Sequence, residues 1–293
     1  MIKFLLNTEL NLVKYDTCIA NAANSRVYAN SWYLNCVADK WGVLILNDYE
    51  AVMPLPIRRK YAINYVYLAP WVQQLGVFSL SNIDEYLLLD FIKAIPRKFK
   101  LVDVYLNSGN EIQHKNISQR INYILNLNLP YKEIHINFSK SRKWSIKQAK
   151  KYNLSIIESF DLNPLIQLFQ INKGKEISES LFDFPVLIKL ADQLRPMDKI
   201  RVYHVINENK ILIGGAVFII DNNRITYLFS VVNVEGREKQ AMSILVDYMI
   251  RKYSNSTYIF DFEGSMIKDI AYFFKSFGAE KEIYYHFNQK MIF

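Results

Sequence analysis

Two carboxylates, Asp261 and Glu263, sit two residues apart just ahead of Gly264. If residues 258–262 form a strand continued by one residue, that spacing puts both on one side of it. A carboxylate at the carboxyl end of such a strand can take a proton from an attacking amine. The same residues also suit a structural role, with Glu263 accepting backbone N–H groups in the Gly264 turn and Asp261 paired with a base. Ser265 fits the N-cap of a helix over 268–277 better than it fits a nucleophile, because no histidine is spaced near it. Arg237 and Lys239 stand at the start of another predicted helix. There the helix dipole helps them bind phosphate, although surface charge is the plain alternative.

A second group of candidates is basic. Residues 139–152 carry Lys140, Arg142, Lys143, Lys147, Lys150 and Lys151 and no acid. The segment reads as a helix, with Trp144, Ile146 and Ala149 as its apolar contacts. Lys143 and Lys147 are the candidates for an anionic substrate such as tRNA, a nucleotide-linked group or a phosphate. A solvated helix face is the competing reading. In the first half, Arg58 ends a strand, and Tyr67 and Trp71 follow on an aromatic stretch. An aromatic-lined cleft with a basic rim suits a peptide or sugar-nucleotide acceptor; a strand packed on both faces accounts for the same residues. The four histidines, His114, His135, His204 and His286, have no ligand spacing, so no metal site is expected.

The chain that must position these residues has 293 of them, 51% hydrophobic and 22% charged, enough for a large core and about two domains. Its net charge of +8 divides into +3 over residues 1–130 and +5 over 131–293. The basic segment alone supplies +6, so the rest of the second part is close to neutral. Two cysteines, Cys18 and Cys36, make neither a disulfide framework nor a thiolate zinc site. The N-terminal apolar run is interrupted by Asn7, Glu9 and Asn11 and is no signal peptide. The apolar stretch 211–220 is too short to span a bilayer. A cytoplasmic protein is the expectation. Glycine is scarce, nine in all, and five of the nine fall in the last third, where tight turns or a close approach of backbone to ligand are expected.

The pattern predicts a mixed α/β (α+β) fold in two units, 1–130 and 131–293, with mostly antiparallel sheets flanked by helices. The first has a helix over 22–36, strands at 43–47, 51–57 and 63–68, a helix over 83–95, and strands at 101–106 and 121–127. The second opens with the basic helix and a strand at 154–158, then helices over 164–172 and 185–194. A meander follows at 200–206, 210–220 and 224–232, turned by Asn207-Glu208-Asn209 and Asp221-Asn222-Asn223. A helix over 238–252, a strand at 258–262, a helix over 268–277 and a strand at 282–287 complete it. The similar order of elements suggests a tandem duplication.

From Ile211 onward this layout resembles the GNAT acyltransferase superfamily, and more narrowly its tandem, FemAB-like branch. The residues that carry the resemblance are the basic helix SKSRKWSIKQAKKYNL, the pair Gly236-Arg237, the phrase Asp261-Phe262-Glu263-Gly264-Ser265, and the ending Phe273-Phe274-Lys275-Ser276-Phe277-Gly278. The resemblance implies a splayed pair of central strands whose backbone, here at Phe229 and Val231, bonds an extended acyl carrier. It also implies a loop at Gly236, Arg237 and Lys239 that receives the carrier's pyrophosphate. Two departures stand out: Gln240 and Met242 occupy positions where glycine or alanine is usual, and Phe274 stands where many relatives have a tyrosine acid. Both suit a donor that is an aminoacyl ester of tRNA rather than acyl-CoA, and both suit a relative that has lost catalysis.

The expected function is transfer of an acyl or aminoacyl group from an anionic donor, acyl-CoA or aminoacyl-tRNA, to an amine acceptor in a cleft between the units. Glu263 or a water takes the proton, and Asp261 stands beside it. The alternative is a silent binding protein that holds an anionic partner on its basic helix.

Overall fold

The computed structural model describes residues 1–173, 182–264 and 266–290, so the expected capping role of Ser265 lies outside the described residues. The chain forms two compact units, Met1–Arg120 with the chain from Ile283 onward, and Ile121–Glu282. The first unit runs β1 (Ile2–Leu6), α1 (Leu12–Asn21), α2 (Ser31–Val37), β2 (Lys40–Leu46), β3 (Ala51–Lys60), β4 (Ile63–Val66), β5 (Phe78–Ser79), α3 (Glu85–Lys93) and β6 (Phe99–Leu106). After β7 (Ile117–Asn126) come α4 (Tyr131–Ile136), α5 (Lys140–Ala149), β8 (Ser155–Ser159), α6 (Asn163–Lys173) and α7 (Phe184–Leu194). The meander β9 (Ile200–Ile206), β10 (Leu212–Asp221) and β11 (Arg224–Val232) follows, with α8 (Val234–Glu238), α9 (Ala241–Tyr253), β12 (Ile259–Asp261), α10 (Lys268–Lys275) and β13 (Glu280–Lys290) after it.

In the first unit the strand order is β1-β2-β3-β4-β6-β13, with β5 beside β3. Every neighbouring pair is antiparallel except β4 and β6. In the second the order is β8-β9-β10-β11-β12-β7, antiparallel except for β11 and β12. The two orders correspond strand for strand: a four-stranded run, one parallel step, and a closing antiparallel strand. The repeated element order read in the sequence is therefore matched by repeated topology. The sheets are mostly antiparallel and carry helices in their connections, as expected of this fold class.

Two helices differ from expectation. In place of one helix over 22–36 there are α1 and α2. Asn11 accepts the amide of Lys14 at 3.1 Å and so starts α1 early. The Asp16 carboxylate then binds both the amide and the hydroxyl of Ser31 and sets the start of α2. The helix expected over 238–252 is interrupted into α8 and α9, because Gln240 between them adopts φ +60°, ψ +35°, a left-handed conformation that no helix continues through.

In the second unit the core lies between the sheet and α9, with Tyr203, Ile213, Phe218, Leu245, Met249, Phe260, Phe262 and Phe277 buried together. Gly215 on β10 explains how α6 approaches the sheet. A Cβ there would stand 2.4 Å from the Tyr203 carbonyl oxygen and 2.5 Å from Leu165 of α6. The missing side chain lets α6 lie close enough to bring Phe169 and Asn172 toward the end of β11.

Candidate active site

β11 and β12 run parallel but pair over only three residues, Arg224–Thr226 against Ile259–Asp261. Beyond Thr226, β11 keeps β10 on one side as far as Val232, and among the described residues no strand pairs with its other edge. The resulting opening leads to a cavity of about 440 Å³. Its walls come from the second unit alone: Tyr227, Ser230, Val231 and Val232 of β11, Gly236 and Arg237 of α8, Gln240, Met242 and Ser243 at the start of α9, Arg142 of α5, Phe169 and Asn172 of α6, and Asp269, Ile270, Phe273 and Phe274 of α10.

A β-bulge sets two of these side chains. Val217 pairs with Phe229 but Phe218 pairs with Tyr227, so Leu228 is the extra residue on β11. One extra residue reverses the alternation, and Tyr227 and Ser230 come to the same face. Both line the cavity. Burial pushes the Tyr227 phenol above its usual range; like any phenol it is protonated at neutral pH, and the shift makes it a weaker acid.

Arg142 is the buried cation of the cavity, only 7% exposed. Its guanidinium lies over the rings of Phe273 and Phe277, at 4.3 and 4.6 Å from their centres. Nε donates to the Ser276 hydroxyl at 2.9 Å and Nη1 donates to the Ser243 hydroxyl. Among the described residues no carboxylate pairs with it, and Nη2 makes no hydrogen bond. Burial pushes its pKa down to about 10, which leaves it cationic at neutral pH. An unpaired buried cation is costly and favours an anion beside it. The amides of Ala241 and Met242 belong to the first turn of α9, where helix geometry supplies no carbonyl partner, so the same wall carries a second source of positive potential.

The α8–α9 loop keeps the backbone path expected of a glycine without the glycine. Gln240 holds the left-handed conformation and secures it with its side chain, donating to the Arg237 carbonyl and accepting from the Ser243 hydroxyl, both at 3.1 Å. Gly236 is needed for contact rather than conformation. A Cβ there would stand 2.2 Å from the Ile213 carbonyl oxygen and 2.6 Å from Val232.

The cavity gathers Val231, Gly236 and Arg237 from the sequence-predicted residues. Phe229 pairs with Val217, on the face opposite Tyr227, and its ring packs against Phe169 and Phe184. Lys239 points away, at 3.0 Å from Glu208 and 2.9 Å from Glu235. Lys143 donates to the Ile136 carbonyl at 2.7 Å, and Lys147 is exposed on α5.

Asp261 and Glu263 are not among the lining residues. β12 ends at Asp261, and Glu263 has φ +57°. Strand alternation therefore does not extend to Glu263, which corrects the expectation that the two share a strand face. Asp261 is fully buried. It accepts from Asn122 and from the Glu263 amide at 2.9 Å each, and pairs with Arg224 at 2.5 Å. Arg224 also reaches Glu282, at 3.2 Å.

In the first unit, Arg58 lies 4.2 Å from the centre of the Tyr67 ring and pairs with Asp39 at 2.5 Å. The Tyr67 hydroxyl accepts the amide of Asp39, and the Trp71 carbonyl accepts from Tyr33. No group of His, Cys, Asp and Glu side chains among the described residues is placed to hold a metal ion.

Tyr227, Ser243, Asn172 and Asp269 escaped the sequence reading, and Arg142 entered it only as one base of the 139–152 segment. For Arg142 a signal existed: it precedes Ile146 by four residues and Ala149 by seven, which puts it on the buried stripe of α5. Tyr227 had none, because its direction depends on the bulge.

No protein-family profile matches the sequence, and no curated protein does. Solved structures do resemble the fold. A crystal structure of FemX superposes with a TM-score of 0.67 at 13% identity, over 97% of this chain and 96% of that one. A tandem GNAT protein from the clavulanic acid biosynthesis pathway gives 0.56 at 11% identity, over 100% and 99%. L-PGS from Bacillus licheniformis gives 0.55 at 11% identity, over 95% and 91%. The chain has a tandem GNAT-like fold of the FemAB type. Among the described residues no helix is long and apolar enough to cross a membrane.

Proposed function

We propose that the chain transfers an acyl or aminoacyl group from a phosphate-bearing donor to an amine, and that the donor binds in the cavity of the second unit. The observation that carries this reading is the junction of the open β11 edge with the buried, carboxylate-free guanidinium of Arg142. An extended acyl carrier can bond the backbone of β11 beyond Thr226, while its anionic end meets Arg142, Arg237 and the first turn of α9.

In this reading the amine nitrogen attacks the donor carbonyl carbon and forms the new C–N bond. The bond to the leaving oxygen or sulfur then breaks. Tyr227, a phenol protonated at neutral pH that lines the cavity, donates its proton to that leaving atom, and the proton shed by the amine passes to Asp269 or to water. Holding donor and amine together in one walled space supplies much of the rate advantage. Asp261 and Glu263 serve here through the fold, holding the turn after β12.

Acetyl-CoA, longer acyl-CoAs and aminoacyl-tRNA are the donors to test by thermal shift. Stabilisation by one of them, lost in Arg142→Met, supports the reading. No shift with any donor counts against it. Donor binding with no transfer to any amine would favour a silent protein that holds an anionic ligand.

A further inference from the structure

We propose that the outer face formed by α5 and α10 is a docking surface for an anionic lipid bilayer, a property independent of the transfer reaction. Trp144 is 59% exposed at the middle of α5. Lys140 lies four residues before it and Lys147 three after, so both rise on the same side of the helix, and Lys151 is exposed in the turn that follows α5. None of these lysines makes an ion pair among the described residues, and no acid falls between 139 and 152.

The patch continues onto α10. The Ser141 hydroxyl of α5 meets the Tyr272 hydroxyl at 3.2 Å, and the Ser139 amide donates to the Ser276 carbonyl at 2.9 Å. Tyr272 is 62% exposed. Ile136, 69% exposed, lies at the end of α4 and is held to α5 by the bond from Lys143 to its carbonyl. Ile267, 62% exposed, stands at the head of α10. Exposed aliphatic side chains gain nothing from a nucleic-acid backbone. At a bilayer interface they enter the acyl boundary, with tryptophan and tyrosine at headgroup depth and lysine ammonium groups reaching lipid phosphate. One surface that offers all three side-chain types fits anionic lipid better than RNA.

The test floats the full chain with phosphatidylcholine vesicles, with and without phosphatidylglycerol, and reads tryptophan emission alongside. Binding is expected only with phosphatidylglycerol, weakening as salt rises. A blue shift of the emission should vanish in Trp144→Phe. Lys140→Glu and Lys151→Glu should each lower vesicle partition about fivefold or more, and Trp144→Ser should lower it too, with unchanged melting temperatures. The proposal is overturned if the chain ignores phosphatidylglycerol vesicles, or if partition survives these substitutions. It is equally overturned if the same variants lose binding to single-stranded RNA while vesicle partition stays constant.

Discussion

Tyr227 and Phe274 meet edge to face on the cavity wall, with ring centres 6.2 Å apart and planes at 82°. The resemblance read in the sequence puts the tyrosine acid of many GNAT enzymes at Phe274, which has no proton to donate. Across this contact stands a phenol from a different element that does. Tyr227→Phe is expected to lower kcat by about 10²-fold or more while leaving donor affinity little changed. Phe274→Tyr in that background should restore part of the lost rate. Steady-state kinetics with an accepted donor decide it, and an equal loss in donor affinity would assign Tyr227 to packing instead.

Arg142 separates binding from stability. The Ser243 and Ser276 hydroxyls that accept from it each donate elsewhere, to Gln240 and to the Phe273 carbonyl. Both therefore keep a partner when the guanidinium is removed. Replacing a buried charge by an apolar chain of similar length is often neutral or stabilising. Arg142→Met should unfold within about 1 kcal/mol of the parent in urea, or above it. It should also lose any stabilisation by inorganic pyrophosphate. A fall of several kcal/mol with the pyrophosphate effect intact would show that Arg142 serves the fold.

Much of the second unit was legible as sequence because its signals are local. The asparagine turns at 207–209 and 221–223 bound a meander whose last strand, Arg224–Val232, has the expected limits. The loop from Gly236 to Met242 was expected from the resemblance to the GNAT layout. Three features were not fully legible, each because it depends on how separate elements pair or pack. The direction of Tyr227 follows from a bulge set by pairing with Val217 and Phe218. The rings of Phe273 and Phe277 that cover Arg142 lie more than a hundred residues away, although its place on the buried stripe of α5 was readable from the spacing to Ile146 and Ala149. The return of the terminal strand to the first unit depends on pairing Tyr285–Lys290 with Leu101–Leu106, which neither segment announces.

Gln240 offers a test of the loop backbone. At φ +60° a Cβ is disfavoured by roughly 1–2 kcal/mol, and glycine escapes that cost while losing more chain entropy on folding. Gln240→Gly and Gln240→Ala lose the same two side-chain hydrogen bonds and differ only in the Cβ. The glycine variant should therefore be more stable than the alanine variant, by about 1 kcal/mol in urea unfolding. Equal stabilities would mean that the loop relaxes out of the left-handed region.

Two histidines should shape stability in mild acid. Burial lowers the pKa of His204, whose Nε2 lies 3.1 Å from the Asp161 carbonyl oxygen; that contact and the Asp161 charge act in the opposite, weaker direction. Burial also lowers the pKa of His135, with Lys143, Arg251 and Lys150 adding to the effect and Asp247 opposing it. Above the ordinary imidazole value near 6.5 neither state holds the extra proton, and the two rings contribute nothing. As pH falls below about 6.5 the unfolded chain takes up protons first, so stability drops until the folded values are passed as well. Carboxylates held low, such as Asp198 bonded to Arg201, Glu208 bonded to its own backbone amide and to Lys239, and Glu235 bonded to Asn207 and Lys239, respond only in stronger acid, below their ordinary values. The interval from about pH 6.5 to about pH 4.5 therefore isolates the histidines. The double variant His135→Gln, His204→Gln should show a flatter fall of unfolding free energy across that interval, measured by urea titration at several pH values. A slope identical to the parent's would mean that neither ring is neutralised by folding.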